Sequence, residues 1–450
     1  MFRKILIANR GEIALRVIRA CREMGIASVA VFSEADRNSL HVRYADEAYC
    51  IGRAPASDSY LNIPRIIAAC EVSDADAVHP GYGFLSENAH FAEIINSCDM
   101  TFIGPTSEAI SALGDKANAR DLAVKHHVPV VPGSDGPVND YATLLKEATR
   151  IGYPIIVKAS AGGGGRGMRV VRNEEELQKA FETARKEAEA AFGNPEVYIE
   201  KFLERSRHVE VQILADKDGT CVHLGERDCT MQRRHQKLLE ESPSPIVDEA
   251  RRKEMGEAAC RIALAANYVG AGTVEFIVDE DTNEYYFMEM NARVQVEHGV
   301  TEMEADVDIV RRQIMVAAGE PLGLSQEDIR LSGWTIECRI NAEDPEHDFR
   351  PNPGKITTYN LPGGPGVRVD SIAYAGYEIS PYYDSMVAKL MVHSRDRIAA
   401  IRRMLRALDE FEIGGIKTTI PLFKNLLKQP AFIRGDRYNT NFVEEWLKKQ

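Results

Sequence analysis

Apolar segments of strand length alternate with amphipathic segments through the first hundred residues, and this alternation restricts the fold more than any other feature. On the first amphipathic segment, Ile13, Val17 and Cys21 recur at the spacing of one helix face. The predicted strands and helices are, in chain order, residues 4–8, 13–24, 28–32, 62–70, 89–97 and 101–103. Strands that alternate with helices form a parallel sheet with helices on its faces. The pattern predicts an α/β domain at the N-terminus.

The rest of the chain predicts two further domains of α+β character. Segments of strand length follow one another after residue 203, and the charged amphipathic stretch 174–191 predicts a helix inside a compact insert at about 131–202. A chain of 450 residues corresponds to about three domains of ~100–200 residues each. The expected domain boundaries are 1–114, 115–330 and 331–450, with the insert inside the second domain.

Charge and composition exclude several classes of protein. The formal net charge of -13 argues against a general nucleic-acid-binding protein, because such proteins carry a basic surface. No stretch reaches the ~18 apolar residues of a membrane span, and the apolar run near the N-terminus is too short for a signal peptide. The cysteines include no Cys-x-x-Cys pair, which argues against a zinc or redox motif of that kind. We expect a cytoplasmic protein with no nucleic-acid or membrane partner.

A glycine-rich segment directly follows the strand predicted at 153–157. It begins with Lys158 and contains four consecutive glycines, Gly162 to Gly165, before Arg166. Backbone amides in such a loop can approach phosphate oxygens closely, and the two cations add positive charge. The segment lacks the Gly-Lys-Ser/Thr end of a Walker A loop. It predicts a polyphosphate site of another kind; the alternative is a flexible hairpin loop, which four glycines make entropically costly.

Acid, amide and guanidinium groups occupy every second position from residue 289 to residue 297. They are Glu289, Asn291, Arg293, Gln295 and Glu297. An extended strand places all five on one face. Carboxylate and amide oxygens suit Mg²⁺, a guanidinium suits a small planar oxyanion, and the last carboxylate is free to accept a proton. The alternative is the solvent face of an edge strand, which more often carries Lys, Thr and Ser.

Two further features complete the predicted site. Glu275 lies among apolar residues of a predicted strand, where a lone carboxylate is costly, and a metal shared with Glu289 would offset that cost. A buried ion pair is the alternative. Four basic side chains between Arg233 and Lys237 predict a local anion site, or else a solvated charged run. With Lys116, these groups predict ATP-dependent activation of a carboxylate-like substrate.

These motifs resemble the biotin carboxylase branch of the ATP-grasp superfamily over nearly the whole chain. The matching stretches are residues 7–14 (IANRGEIA), 79–88 (HPGYGFLSEN), 114–116 (GDK), the glycine-rich segment, 231–237 (MQRRHQK), 289–302 and 337–344 (ECRINAED). Other ATP-grasp ligases share the glycine-rich segment, whereas the combination is specific. The resemblance implies an ATP-grasp fold with a Rossmann-like N-terminal domain, a mobile lid subdomain at about 131–202 and a C-terminal biotin carboxylase domain.

The resemblance also implies a role for each candidate site residue. The ATP pocket would be lined by Lys116, Lys158, Glu200, Lys201, Leu203, His208, Gln232 and His235, and closed over the phosphates by Gly163, Gly164 and Gly165. Two Mg²⁺ or Mn²⁺ ions would be held by Glu275 and Glu289, with Asn291 near them. Bicarbonate would be held by Lys237, Arg293, Gln295 and the backbone of Val296. Glu297 would deprotonate bicarbonate, and Arg339 would stabilise the enolate oxygen of biotin.

The implied reaction carboxylates biotin on a carrier protein. Bicarbonate attacks the γ-phosphate of ATP to give carboxyphosphate, which breaks down to CO₂ and phosphate; the phosphate then removes the ureido proton of biotin, and the nitrogen attacks CO₂. The chain ends without a Met-Lys-Met biotinylation sequence, so the biotin carboxyl carrier protein and the carboxyltransferase subunits are expected on separate chains. The resemblance implies a homodimer, with Arg19 and Glu23 as candidate contacts.

Several alternatives stay open. The expected parent enzyme is an acetyl-CoA carboxylase of fatty acid biosynthesis; a split pyruvate carboxylase or another acyl-CoA carboxylase is the alternative. Another ATP-grasp ligase would fit parts of the pattern, although the third predicted domain and the run from Arg293 to Glu297 argue against it. A catalytically silent nucleotide-binding subunit is a further alternative, which the presence of Arg293, Glu297 and Arg339 disfavours. Gly299 departs from the family, which usually has proline there, and predicts a less rigid loop.

Overall fold

The computed structural model describes residues 1–134, 136–138, 140–159, 169–192 and 196–449. The chain forms two compact units. The first comprises Met1–Val128, Arg207–Ile277 and Met288–Gln450, and the second comprises Pro129–Ser206 and Val278–Phe287. The insert predicted at 131–202 falls within the second unit, and the predicted lid glycines Gly163, Gly164 and Gly165 lie outside the described residues. No helix in the described part of the chain combines the length and apolar character that crossing a membrane requires.

The first 125 residues form the α/β arrangement that the sequence predicts. The elements are β1 (Lys4–Ile7), α1 (Gly11–Glu23), β2 (Ala27–Ser33), α2 (Leu40–Tyr44), β3 (Glu47–Gly52), α3 (Ile63–Ser73), β4 (Ala77–His79), α4 (Ala89–Ser97), β5 (Thr101–Phe102), α5 (Ser107–Gly114) and α6 (Lys116–Lys125). The sheet order is β3-β2-β1-β4-β5, and all four pairings are parallel. Ile5, Leu6 and Ile7 are fully buried, as expected for a central parallel strand covered on both faces.

The second unit has its own small sheet and core. Its elements include α7 (Tyr141–Ile151), β6 (Ile155–Ala159), β7 (Arg169–Val171), α8 (Glu174–Phe192) and β8 (Val197–Lys201). The strand order is β7-β6-β8, with both pairings antiparallel. Ile155 and Val157 of β6 pack with Leu144 of α7 and with Leu177 and Phe181 of α8. Alternate residues of the strand therefore face the two helices.

The rest of the chain contributes all eight strands of a large sheet and the helices on it. Its elements are β9 (Ser206–Ala215), β10 (Cys221–Arg233), β11 (Gln236–Ser242), α9 (Glu249–Ala265), β12 (Gly270–Asp279), β13 (Tyr285–Asn291), α10 (His298–Ala305), α11 (Ile309–Ala317), β14 (Trp334–Asn341), β15 (Glu343–Asp344), β16 (Arg350–Pro351), β17 (Gly354–Lys355), β18 (Thr358–Asn360), β19 (Val367–Ser371), β20 (Glu378–Ile379), β21 (Met386–Ser394), α12 (Arg397–Glu410), β22 (Glu412–Gly414), α13 (Ile420–Leu426), α14 (Pro430–Arg434) and α15 (Phe442–Leu447).

The eight strands of this sheet lie in the order β13-β12-β9-β10-β11-β14-β21-β19. On β14, Ile336, Cys338 and Ile340 belong to an apolar core that also contains Met404 and Leu408 of α12. Because side chains alternate along a strand, the residues between them point to the opposite face. That opposite face carries charged groups, and it positions the site described next.

Candidate active site

Alternate side chains of β9 and a side chain of its neighbour β12 form one wall of the site. His208 and Glu210 lie two residues apart on β9, and Glu275 lies on β12. One ligand-type atom from each of these three residues lies within 4.8 Å of the others. His208 Nε2 is 3.1 Å from Glu275 Oε2. The sequence prediction named His208 and Glu275 but missed Glu210, although its spacing from His208 already placed it on the same strand face.

Lys237, near the start of β11, joins three carboxylates. Its Nζ lies 2.5 Å from Glu210 Oε2, 2.7 Å from Glu297 Oε1 and 3.1 Å from Glu275 Oε1. Burial lowers the pKa of Lys237, but the surrounding carboxylates outweigh burial and raise that pKa well above its ordinary value. The ammonium is therefore charged at any physiological pH.

The rest of the predicted basic cluster has a different role. Arg233 and Arg234 both pair with Asp348, and the Arg234 backbone amide donates to Glu444. These arginines are neutralised by acidic residues near the turn between β10 and β11. Of the basic residues in the predicted anion site, Lys237 contacts the carboxylates of the site, whereas Arg233 and Arg234 pair with Asp348.

Glu297 is fully buried between two cations, immediately before α10. Its Oε1 accepts from Lys237 and its Oε2 accepts from Arg339 Nη2 at 2.9 Å. Burial favours a raised pKa, but Lys237, Arg339 and Arg227 outweigh it and hold the pKa of Glu297 well below its ordinary value. The carboxylate is ionised at neutral pH, which is the state required of a proton acceptor.

The alternating segment is not one extended strand, and that expectation is wrong. Strand β13 ends at Asn291, and residues 292–296 form a loop that leads into α10. Glu87 holds this loop, because its carboxylate accepts from the Ala292 amide at 3.0 Å and from Arg293 Nε at 2.8 Å. Tertiary contacts to this backbone replace the continued strand pairing that the residue alternation alone predicts.

The polar groups of the segment nevertheless converge. Arg293 donates through Nη1 to Gln295 Oε1 at 2.8 Å and through Nη2 to Asn291 Oδ1 at 3.1 Å. Gln295 Nε2 lies 3.3 Å from Glu275 Oε1. The carbonyl of Val296 accepts from the fully buried Lys389 at 2.6 Å, which fixes the orientation of that peptide. A row of donors therefore lies between Glu275 and Glu297.

Glu275, Glu289 and Asn291 have the donor chemistry of a magnesium site. Glu275 Oε1 accepts from Asn291 Nδ2 at 3.0 Å, and Glu289 Oε2 lies 3.1 Å from Lys116 Nζ. Burial raises the pKa of Glu275, but Lys237 and His208 outweigh burial and lower it. Both carboxylates are held by cationic or amide donors, which a divalent cation would replace, and hard oxygen ligands of this kind suit Mg²⁺. The residues therefore fit the metal that the resemblance implies.

The remaining predicted nucleotide residues lie on both units. In the second unit, Lys158 on β6 pairs with Glu200 on β8, and Lys201 donates to the carbonyls of Gly152 and Tyr153 at 3.1 and 2.9 Å. Leu203 follows β8 and is half-buried.

In the first unit, Gln232 is buried near the end of β10, and His235 is exposed in the turn before β11. The backbones of Arg234 and His235 have positive φ angles of 49° and 63°, which a two-residue hairpin turn requires. The turn brings Gln232 opposite Lys237 across the β10–β11 pairing.

Sequence reasoning missed several residues that support this site. They are Glu87, Glu210, Arg227, Glu240 and Lys389. Arg227 is fully buried and donates to Glu210 Oε1 at 2.5 Å, and Glu240 accepts from Arg339 Nε at 2.6 Å. Strand alternation could have identified Glu210. The others come from distant parts of the chain and are identified only by their contacts.

Comparison with known proteins identifies the family of the chain. Residues 1–110 match the family described as Biotin carboxylase, N-terminal domain; residues 115–325 match Carbamoyl-phosphate synthase L chain, ATP binding domain; and residues 337–445 match Biotin carboxylase C-terminal domain. Biotin carboxylase 1 of Bacillus subtilis is 56% identical over 446 residues, which are 99% of this chain and 99% of that protein. Biotin carboxylase of a Nostoc species is 58% identical over 99% of this chain and 100% of that protein. A pyruvate carboxylase subunit of Methanothermobacter thermautotrophicus is 54% identical over 99% of this chain and 90% of that protein.

Solved structures agree as well. A Campylobacter jejuni biotin carboxylase–beta-gamma-ATP complex superposes with a TM-score of 0.89 at 51% identity, covering 99% of each chain. The biotin carboxylase domain dimer of Hydrogenobacter thermophilus 2-oxoglutarate carboxylase, in complex with MgADP, ADP and bicarbonate, gives a TM-score of 0.87 at 50% identity, covering 99% of this chain and 98% of that one. The family and the ATP-grasp fold predicted from the sequence are confirmed, and the chain belongs to the biotin carboxylase family.

Proposed function

We propose that this chain carboxylates biotin on a carrier protein, using ATP and bicarbonate. The observation that carries the proposal is the ionised Glu297 carboxylate held between Lys237 and Arg339. A base beside two fixed cations suits an anionic substrate that must lose a proton. Family membership over the full chain supports the same reaction.

Glu297 would act as the base toward bicarbonate. In the structure its low pKa makes it a weak base, because Lys237 and Arg339 stabilise the carboxylate. A bound bicarbonate would take part of the Lys237 interaction for itself and weaken its pairing with Glu297. The pKa of Glu297 would then rise towards the range in which a carboxylate accepts a proton effectively. Substrate binding would thus activate the base.

Arg293, Gln295 and the backbone around Val296 would orient the bicarbonate. The planar guanidinium of Arg293 matches a planar oxyanion, and Glu87 holds its Nε at 2.8 Å. Lys389 fixes the Val296 carbonyl by a hydrogen bond of 2.6 Å. Preorganised donors of this kind cost no reorganisation when charge develops on the substrate.

ATP would bind the residues predicted for it, with the lid glycines over the phosphates. Glu275 and Glu289 would hold Mg²⁺ or Mn²⁺, with Asn291 beside them, and two such ions would neutralise phosphate charge. Deprotonated bicarbonate would attack the γ-phosphorus with ADP as leaving group, and carboxyphosphate would release CO₂ and phosphate. The phosphate would remove the ureido proton, the nitrogen would attack CO₂, and Arg339 would stabilise the enolate oxygen of biotin.

The proposed partners are a biotin carboxyl carrier protein, carboxyltransferase subunits and a second copy of the chain. Arg19 is half-exposed on α1, 3.9 Å from Asp370, and remains a proposed dimer contact together with Glu23. The cytoplasmic location and the three-domain division likewise remain proposals. For the parent enzyme we propose an acetyl-CoA carboxylase. The names of the relatives do not favour the split pyruvate carboxylase.

The direct test is fixation of radiolabelled bicarbonate onto free biotin by the purified chain with ATP and Mg²⁺. We expect label on biotin that is absent without ATP. ATP cleavage driven by ammonia or an aminoimidazole instead, with no labelled biotin, would indicate another ATP-grasp ligase. ATP binding without cleavage, even with added biotinylated carrier protein, would indicate a silent subunit. Adding carboxyltransferase subunits with acetyl-CoA or pyruvate then identifies the acceptor.

A further inference from the structure

Two buried glutamates face each other beneath the site, on strands β11 and β14. Glu240 is the direct cross-strand partner of Glu337 in the antiparallel register. Both side chains are fully buried. Residues directly opposite in an antiparallel pair have Cβ atoms about 4.5–5.5 Å apart and share a sheet face. Arg339 lies two residues after Glu337, so its side chain leaves β14 on that same face.

Arg339 engages one of these two carboxyl groups directly. Glu240 Oε1 lies 2.6 Å from both Nε and Nη2 of Arg339. Glu240 Oε2 and both carboxyl oxygens of Glu337 have no hydrogen-bond partner among the described residues. Buried oxygens of ionised carboxylates are almost always hydrogen-bonded, because leaving them unpaired costs their full desolvation free energy. Three unpaired oxygens in one place therefore require an explanation.

A single proton pairs two of these oxygens and makes the third the carbonyl oxygen of a neutral acid, which costs much less to leave unpaired than an ionised one. Two carboxyl groups this close cannot both be ionised in a buried site, and one of them holds a proton. The Glu337 hydroxyl can then donate to Glu240 Oε2, while Oε1 of Glu240 stays on Arg339. The charged groups facing Glu240 are Arg339, Glu297 and Lys237, and those facing Glu337 are Lys389, Glu240, Arg339 and Glu297.

The electrostatics agree with this distribution of charge. Burial, reinforced by Glu240 and only partly opposed by Lys389 and Arg339, raises the pKa of Glu337 well above its ordinary value. Burial raises the pKa of Glu240 to about 7 against the opposing effect of Arg339. Glu337 is accordingly the protonated member, and Glu240 is the member that carries negative charge beside the guanidinium.

We propose that Glu240 and Glu337 form a hydrogen-bonded pair that shares one proton and positions Arg339. The functional part of this inference rests on the proposed function, in which Arg339 stabilises the enolate oxygen of biotin. Arg339 then has two carboxylate neighbours, Glu240 behind it and Glu297 beside it, which hold Nε and Nη2. Its Nη1 makes no hydrogen bond within the described part of the chain and would be the donor left for an incoming oxyanion. Glu240 and Glu337 are positioning residues and do not touch the substrate.

The shared proton can be detected without any activity. The infrared carbonyl stretch of a protonated carboxylic acid is separate from carboxylate bands and shifts in D₂O. We expect Glu337→Gln to remove one such band from the spectrum of the full chain. Glu304→Gln is the control: burial raises the pKa of Glu304 to about 8, and its removal should delete a different band. A carbonyl region unchanged by Glu337→Gln would overturn the shared proton, whether or not the chain carboxylates biotin.

The positioning role is tested with Glu240→Gln. Because a hydrogen bond to a charged group contributes about a factor of 10 to 100, we expect the kcat/KM for biotin to fall by about that factor. The KM for ATP should stay within about twofold, and Glu240→Asp should recover part of the loss. Glu241→Gln is the matched control, since Glu241 is the next residue, is also buried and accepts from Arg397 on the opposite sheet face. Equal losses of kcat/KM for biotin in Glu240→Gln and Glu241→Gln would show that Glu240 has only a structural role.

Discussion

At the scale of single residues, Glu297 joins two properties that seldom occur together, complete burial and full ionisation. Its charge is tolerated because Lys237 and Arg339 each approach one carboxylate oxygen. A buried carboxylate with both oxygens on cations has little freedom to move, so its direction toward a substrate is defined before binding. The same two cations make Glu297 a weak base, so substrate binding must raise its pKa.

Replacing Glu297 with glutamine tests this role. Glutamine keeps the shape and can still accept hydrogen bonds, but it cannot take a proton at this pH. We expect biotin carboxylation to fall at least about 100-fold, the usual contribution of a general base. The affinity for ATP, measured by calorimetry, should change little. Glu226→Gln, another fully buried glutamate paired with an arginine, should keep most of the activity. Turnover of Glu297→Gln within threefold of the parent chain would contradict the assignment.

Glu289 differs from Glu275 in its exposure. Its side chain is 35% exposed and paired with Lys116, whereas the Glu275 side chain is 9% exposed. We expect Glu289→Gln to raise the Mg²⁺ concentration for half-maximal ATP cleavage at least about tenfold, and to weaken Mn²⁺ binding seen by electron paramagnetic resonance. Glu284→Gln, on the exposed turn before β13, is the control. Unchanged Mn²⁺ binding in Glu289→Gln would remove this residue from the metal site.

At the scale of elements, helix α10 determines how Glu297 enters the site. Gly299 lies in the first turn of α10 and is buried, so the less rigid loop expected at this position is instead the start of a helix. A Cβ atom at position 299 would clash with Met391 Sδ, on the neighbouring strand β21. The first turn of a helix tolerates proline, so the backbone itself does not require glycine here. Gly299 departs from the family pattern, and Met391 occupies the space that a side chain at position 299 would need.

This pairing predicts coupled mutations. Gly299→Pro should lower the free energy of unfolding by about 1–3 kcal/mol, because the fully buried Met391 must move. In a Met391→Val background the same change should cost less, with a coupling free energy of about 0.5–3 kcal/mol in a double-mutant cycle measured by denaturant unfolding. Gly363→Ala, at an open position, is the control. Strictly additive effects would show that Met391 does not restrict position 299.

At the scale of the whole molecule, buried imidazoles link stability to pH. Burial, the largest effect at each, lowers the pKa of His41 to about 4 and those of His79 and His298 to about 3. Between these values and ~6.5 the unfolded chain binds protons that the folded chain does not bind. Stability from these groups is therefore complete above pH ~6.5 and is lost as the pH falls through the range down to about 3.

The prediction is a steep loss of stability below pH 6.5. Each of the three imidazoles contributes up to about 1.4 kcal/mol per pH unit to the slope. Guanidinium unfolding midpoints at pH 7, 6 and 5 measure this loss. His41→Leu should lower the slope of unfolding free energy against pH by the contribution of one imidazole. His90→Asn, at an exposed position, should leave that slope unchanged. A slope identical in His41→Leu and the parent chain would contradict the prediction.

Local sequence determined much of this protein by itself. The alternation of strands and helices in the first hundred residues predicts the parallel sheet, because burial on both faces demands continuous apolar runs. The sequence also predicted the strand that begins at His208, although the site role of His208 came from the motif resemblance. The motif resemblance identified the family and named Glu297, Lys237 and Arg339 together. Strand and helix patterns are local, and the family is recognised from the combination of its motifs. Both can therefore be identified from the sequence alone.

Tertiary structure decided what the local pattern could not. The segment 289–297 alternates as a strand would, yet it leaves the sheet after Asn291, because Glu87 and Lys389 bind its backbone from distant parts of the chain. The register of β11 against β14 placed Glu240 opposite Glu337. Residues far apart in sequence supply these partners, and their electrostatic effects act over a few ångströms. The sequence therefore determined which chemical groups are present, and the packing decided which of them meet and which hold a proton.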